Sequence, residues 1–172
     1  MVAPVSTVGQ AIRLSTVDDT RALGERLAGV LRAGDLVVLV GRLGAGKTVF
    51  VQGIGAGLGV RGPVVSPTFV IARVHRGGRL QLVHVDAYRL GSLAEVDDLD
   101  LDVDLGDSVV AVEWGSGLVE QLSDARLEVQ LERSTYSDER TATLVPHGGD
   151  WAERVEQIVA DATVTDSRSA AH

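Results

Sequence analysis

Three observations predict a single α/β domain with a mainly parallel central sheet. A short, wholly apolar run rich in valine, Leu36-Val37-Val38-Leu39-Val40, leads at once into a glycine-rich turn and a segment able to form a helix. That is the pattern of a parallel strand buried on both faces. Two further apolar runs, Leu82-Val83-His84-Val85 and Val109-Val110-Ala111-Val112, each end on an acid, Asp86 and Glu113. Finally, 172 residues, 45% of them hydrophobic, can bury one real core and leave little room for a second domain.

Composition narrows the field. Only 3% of residues are aromatic, so the core must be built from Leu, Val, Ile and Ala. The absence of cysteine excludes disulfides, thiolate metal sites and cysteine nucleophiles. Met1 to Leu14 lacks a basic start followed by an apolar stretch, and no run approaches the ~18 apolar residues of a membrane span. A cytoplasmic protein without a membrane partner is expected. A net charge of −8 gives no global field for replacing phosphate counterions, which argues against direct, tight binding of tRNA or DNA.

The elements follow in order. Ser15 or Thr16 caps a first helix, with an acid three residues on, and Thr20 to Arg32 places Leu23, Leu27, Val30 and Leu31 on one face. Gly34-Asp35 turns the chain into the Leu36 to Val40 strand. Thr48 to Leu58 reads as a helix whose glycines at 53, 55 and 57 each cost about 1 kcal/mol relative to alanine, so packing must hold it. Phe69 to His75 and Leu80 to Val85, joined by Arg76-Gly77-Gly78-Arg79, form a β-hairpin. Glu95 to Asp107 is a solvated acidic helix and loop. Ser108 to Glu113, Arg126 to Leu131 and Thr141 to Val145 are strands. Trp151 to Ala160 is a closing amphipathic helix, so that a domain over 1–162 precedes a disordered tail over 163–172.

Between the first buried strand and its helix lies Gly41-Arg42-Leu43-Gly44-Ala45-Gly46-Lys47-Thr48, a complete GxxxxGK[ST] P-loop. Lys47 is the sole lysine among 16 basic residues. It stands where a compact ammonium, rather than a planar guanidinium, must reach between phosphates. Glycines let the backbone amides of Leu43, Gly44, Ala45 and Gly46 turn toward an anion, and the helix N-terminus adds partial positive charge. By this logic the chain binds a nucleotide such as ATP, Lys47 bridges the β- and γ-phosphates, and the Thr48 hydroxyl holds magnesium. The fold class is thus P-loop NTPase-like, with a hairpin after the P-loop helix and flanking helices.

A P-loop needs a second acid, on a strand next to the P-loop strand, to reach magnesium or its water or to polarise the attacking water. Asp86 and Glu113 both meet the requirement, and the residues alone do not divide the roles. His84, alternating with Val83 and Val85, reads as a satisfied core or edge histidine.

Ser66-Pro67-Thr68-Phe69, His84-Val85-Asp86-Ala87-Tyr88-Arg89-Leu90 and Glu113-Trp114, spaced after the GxLGAGKT motif, resemble the TsaE (formerly YjeE) family over roughly Ser15 to Arg140. The resemblance implies ATP and magnesium binding, weak ATPase activity, and docking onto the TsaD and TsaB proteins that modify tRNA with threonylcarbamoyladenosine. Contact with tRNA would be indirect. It implies that Thr48 and Glu113 are magnesium ligands, that Asp86 is the strand-end acid near the phosphates, and that Lys47, Asp86 and Glu113 carry the chemistry. It further implies that Thr68 senses the γ-phosphate, that Arg140 reaches the nucleotide, and that Thr16 to Thr20 flanks the base. Tyr88 and Arg89 would shape the pocket or a partner surface, or be a packed tyrosine and a surface arginine; Trp114, beside a core strand, reads as core rather than as a stacking residue of the site. The chain departs from the family pattern at Arg42, where an acid is usual, and at Gly115, where proline is common.

Two alternatives stay open. A small-molecule or nucleotide kinase would use the same loop but needs an arginine-bearing lid over its acceptor. A nucleotide-dependent binding switch would need the same loop and acids without required hydrolysis.

Overall fold

The computed structural model describes residues 9–67, 72–86, 105–113 and 124–169. In chain order the elements are β1 (Gln10–Leu14), α1 (Val17–Val30), β2 (Leu36–Val40), α2 (Lys47–Leu58), β3 (Ala72–His75), β4 (Gln81–Asp86), β5 (Ser108–Glu113, after a single 3-10 turn), β6 (Arg126–Arg133), β7 (Arg140–His147) and α3 (Trp151–Ser169). The strands form one sheet in the order β1-β7-β6-β2-β5-β4-β3. Its centre, β6-β2-β5-β4, is parallel, and both edges are closed by antiparallel pairs.

One face of the sheet, carrying Val37, Leu39, Leu82, Ala111, Val129 and Leu144, shares a single core with Leu23, Leu27, Phe50, Ile54, Trp151 and Ile158 of the helices. Leu36, Val38, Val83, Val85 and Val112 form a second cluster from the alternate positions. This explains why β2 reads as uniformly apolar: both faces are buried.

Gly53 and Gly57 of α2 are explained by α1. A Cβ on Gly53 would lie 2.1 Å from the Arg21 carbonyl oxygen, and one on Gly24 would lie 2.3 Å from that of Phe50. Backbone meets backbone at the crossing, where only glycine fits. The expected penalty of glycine in a helix is therefore offset by close approach. Beyond the crossing, Arg79 of the hairpin turn donates from Nη2 to the carbonyls of Ala28 and Leu31, 2.7 and 3.1 Å. Its backbone N–H also bonds to Leu58 O at 2.8 Å. The turn thus caps both helices, with a cation against the C-terminus of α1 and a backbone N–H at that of α2.

The capping-box reading is met by Thr16 and Asp19. Four expectations need correction. The closing helix does not stop at Ala160 but runs to Ser169, so the segment expected to lack order from Thr163 is helical as far as Ser169. Thr163 Oγ1 donates back to Val159 O and Ala160 O, which satisfies a polar side chain inside the helix. β1 was not foreseen, because five residues at a sheet edge give too short an alternation to stand out. The second hairpin strand runs Gln81–Asp86 rather than from Leu80, while the expected start of the first at Phe69 lies outside the described residues. Lastly, β4 is not next to the P-loop strand: β5 lies between them.

Candidate functional site

Parallel strands bring their carboxyl ends to one edge, and there the sequence motifs meet. β2 delivers the P-loop, and β5 delivers Glu113 beside it, with Leu39 and Glu113 paired in register. β4 ends on Asp86, opposite Glu113 in register but one strand farther out. Of the two acids, only Glu113 is on a strand adjoining the P-loop strand.

The loop takes its shape from positive φ at Gly44 and Gly46, 81° and 104°, a backbone that other L residues rarely adopt. Gly46 then opens α2 as its N-cap. Lys47 is buried, and its Nζ donates to the carbonyls of Gly41 and Arg42 at 2.6 and 3.0 Å. Burial lowers its pKa, while the charges of Glu113 and Asp86 act in the opposite direction. The Thr48 hydroxyl donates to Glu113 Oε1 at 3.3 Å, joining the loop to the strand-end acid. Glu113 is itself 5% exposed.

Arg140 approaches from β7 and holds the loop by its carbonyls. Its Nε donates to Ala45 O at 3.1 Å and its Nη2 to Gly44 O at 3.4 Å. The Arg42 side chain is exposed and has no ion pair among the described residues. Leu43, at the tip of the loop, is 94% exposed. Within α1, Thr20 lies beside Gly46, its Cγ2 within 3.5 Å of where a Cβ there would sit. Nearby, Ser15 and Asp19 line a groove of about 500 Å³ between β1, α1 and α3, and no P-loop residue lines it. Thr68, Tyr88, Arg89 and Trp114 lie outside the described residues.

One residue of the site was missed as such. His84 is fully buried and places Nε2 3.0 Å from Glu113 Oε1. The reading of a satisfied core histidine holds for Nε2 but not for Nδ1, which has no hydrogen-bond partner among the described residues. The available signal was its position two residues before Asp86 on the same face of the strand.

Fold and loop together define a P-loop α/β protein. The family model described as threonylcarbamoyl adenosine biosynthesis protein TsaE matches residues 14–142. The chain is 56% identical over 146 residues to the Streptomyces coelicolor protein named tRNA threonylcarbamoyladenosine biosynthesis protein TsaE, covering 81% of this chain and 99% of that one. It is 53% identical to the protein of the same name from Mycobacterium tuberculosis, over 80% of this chain and 87% of that one. Among solved structures, Bacillus subtilis YdiB superposes with a TM-score of 0.74 at 31% identity, covering 90% of this chain and 96% of the other. The chain belongs to the TsaE family.

Proposed function

We propose that this chain binds ATP with magnesium, hydrolyses it slowly, and by that cycle supports the complex that forms threonylcarbamoyladenosine on tRNA, docking to its TsaD and TsaB components. The observation that carries the reading is the meeting of Lys47, Thr48 and Glu113 at the carboxyl end of β2, with Thr48 Oγ1 and Glu113 Oε1 3.3 Å apart. One hydroxyl and one carboxylate are hard oxygen donors, the set magnesium takes when phosphates and water supply its other ligands. Bound there, the ion neutralises charge on the phosphates.

The chain's own groups do the rest. Thr48 donates its hydroxyl hydrogen bond to Glu113 and would keep its oxygen lone pairs for the cation. Lys47 exchanges two loop carbonyls for phosphate oxygens, and the charges of Glu113 and Asp86 oppose the lowering of its pKa by burial. Asp86, a strand away from the loop, is assigned to the attacking water rather than to the metal. Arg140 holds the loop backbone so that its amide groups stay turned toward the anion. With a net charge of −8, contact with tRNA runs through the partner proteins.

The test is phosphate release from ATP and magnesium, measured for the chain alone, with candidate acceptors, and with TsaD, TsaB and tRNA. Release that rises with the partners and drops at least about 100-fold in Lys47→Ala is the expected result. Phosphoryl transfer to an acceptor would overturn it in favour of a kinase. Full tRNA modification by a Glu113→Ala protein that binds ATP without hydrolysing it would overturn the hydrolytic part in favour of a switch.

A further inference from the structure

Glu113 accepts two hydrogen bonds on the same atom. Thr48 Oγ1 reaches Oε1 at 3.3 Å and His84 Nε2 reaches it at 3.0 Å. A carboxylate only accepts, so the imidazole is the donor and carries its proton on Nε2. The other nitrogen, Nδ1, is buried without a hydrogen-bond partner among the described residues. This tautomer is the cheaper one, because it leaves a bare lone pair at Nδ1 rather than a stranded N–H. The ring sits on β4, opposite Ala111 of β5 in register, and is 0% exposed, so it has no room to leave the carboxylate. Both of these bonds fall on Oε1 and neither on Oε2.

We infer that His84 is the positioning residue of this site: its Nε2–H pins Oε1 of Glu113 and thereby presents Oε2 as the oxygen available to the cation. The inference rests on the proposed ATP and magnesium site. A carboxylate with both oxygens free to rotate pays for its orientation each time the metal binds, and a fixed neighbour removes that cost. His84 touches neither nucleotide nor metal in this arrangement, and acts through Glu113.

Two variants separate this from a packing role. His84→Gln keeps an N–H donor of similar reach, whereas His84→Leu keeps bulk and loses the donor. Binding of a fluorescent ATP analogue is measured with EDTA and across a magnesium titration. His84→Leu is expected to raise the half-saturating magnesium concentration about 10-fold or more, His84→Gln to restore it to within about threefold, and the magnesium-free affinity to stay unchanged in both. An unchanged magnesium requirement in the Leu variant, or equal damage in both, would overturn the inference.

A second arm needs no nucleotide and covers a Leu variant that does not fold. Nitrogen-15 NMR of the wild-type imidazole is expected to show the Nε2–H tautomer, with the Nε2 resonance moved by Glu113→Gln. An Nδ1–H tautomer, or a resonance blind to Glu113→Gln, would overturn the inference. If the wild type binds no ATP analogue at all, the proposed function fails, and this NMR arm alone decides whether His84 holds Glu113.

Discussion

At the scale of single residues, Lys47 works against the fold that holds it. Its pKa is lowered by burial, the larger cause, and only partly restored by Glu113 and Asp86. A lysine whose folded value lies below its unfolded one binds fewer protons when folded, so stability rises with pH from the lowered value up to about 10.5. Lys47→Met has no such proton. The stability of the wild type relative to Lys47→Met is expected to increase with pH across that window, read as the difference between their urea midpoints. A difference that stays flat or falls would contradict the burial argument.

Much of the site was legible at this scale because Lys47, Thr48 and Glu113 carry their chemistry in residue type and spacing. His84 was not, since a histidine between valines looks the same whether its partner is a carbonyl or a strand-end carboxylate. The two strand-end acids could not be ranked for a similar reason: their difference lies in which strand stands between them and the loop. Arg42 departs from the family pattern, and its exposed side chain touches nothing described that would explain the change.

At the scale of elements, the α1 and α2 crossing makes a paired expectation. Gly53→Ala would drive a methyl to 2.1 Å from the Arg21 carbonyl and is expected to cost about 3 kcal/mol, because the obstacle is backbone and cannot rotate away. Gly29, in the same helix as Gly24, has nothing within 4 Å of its would-be methyl. Gly29→Ala is expected to add about 0.5 kcal/mol by stiffening the unfolded chain and favouring helix. Chemical denaturation of the two variants checks both signs, and a Gly53→Ala protein as stable as the wild type would contradict the close crossing. The buried strands were easy to read, since Leu36 to Val40 and Ser108 to Glu113 are apolar runs with clear ends. β1 was not, because its pairing with β7 supplies a register that Gln10 to Leu14 does not announce. The extension of α3 was missed because a run of Thr, Asp and Ser favours caps and turns on propensity alone.

At the scale of the whole molecule, one ion cluster ties the last helix to the start of the P-loop strand. Arg154 is 8% exposed, donates to Asp35 at 2.6 and 3.2 Å and to Val30 O at 3.1 Å, and stacks on Trp151 at 3.7 Å. Arg154→Leu leaves the Asp35 carboxylate without its guanidinium and, among the described residues, with only the Arg32 backbone N–H, and is expected to destabilise the chain by about 3 kcal/mol. Arg133→Leu, which breaks an exposed pair with Asp138, is expected to change stability by less than about 1 kcal/mol. Equal losses in thermal or urea unfolding would contradict the role given to Arg154. The Arg154–Asp35 pair was not visible in the sequence, because partners 119 residues apart meet only through tertiary structure.

The strand order has a consequence for the chain as it is made. β2 is flanked by β5 and β6, both of which come later in the sequence, so the P-loop strand leaves the ribosome with two open edges. It keeps them until Glu113 and then Arg133 have emerged. Through that interval an apolar five-residue strand lies ready to pair with whatever is nearby. The strands that cover those edges in the finished sheet are made only later.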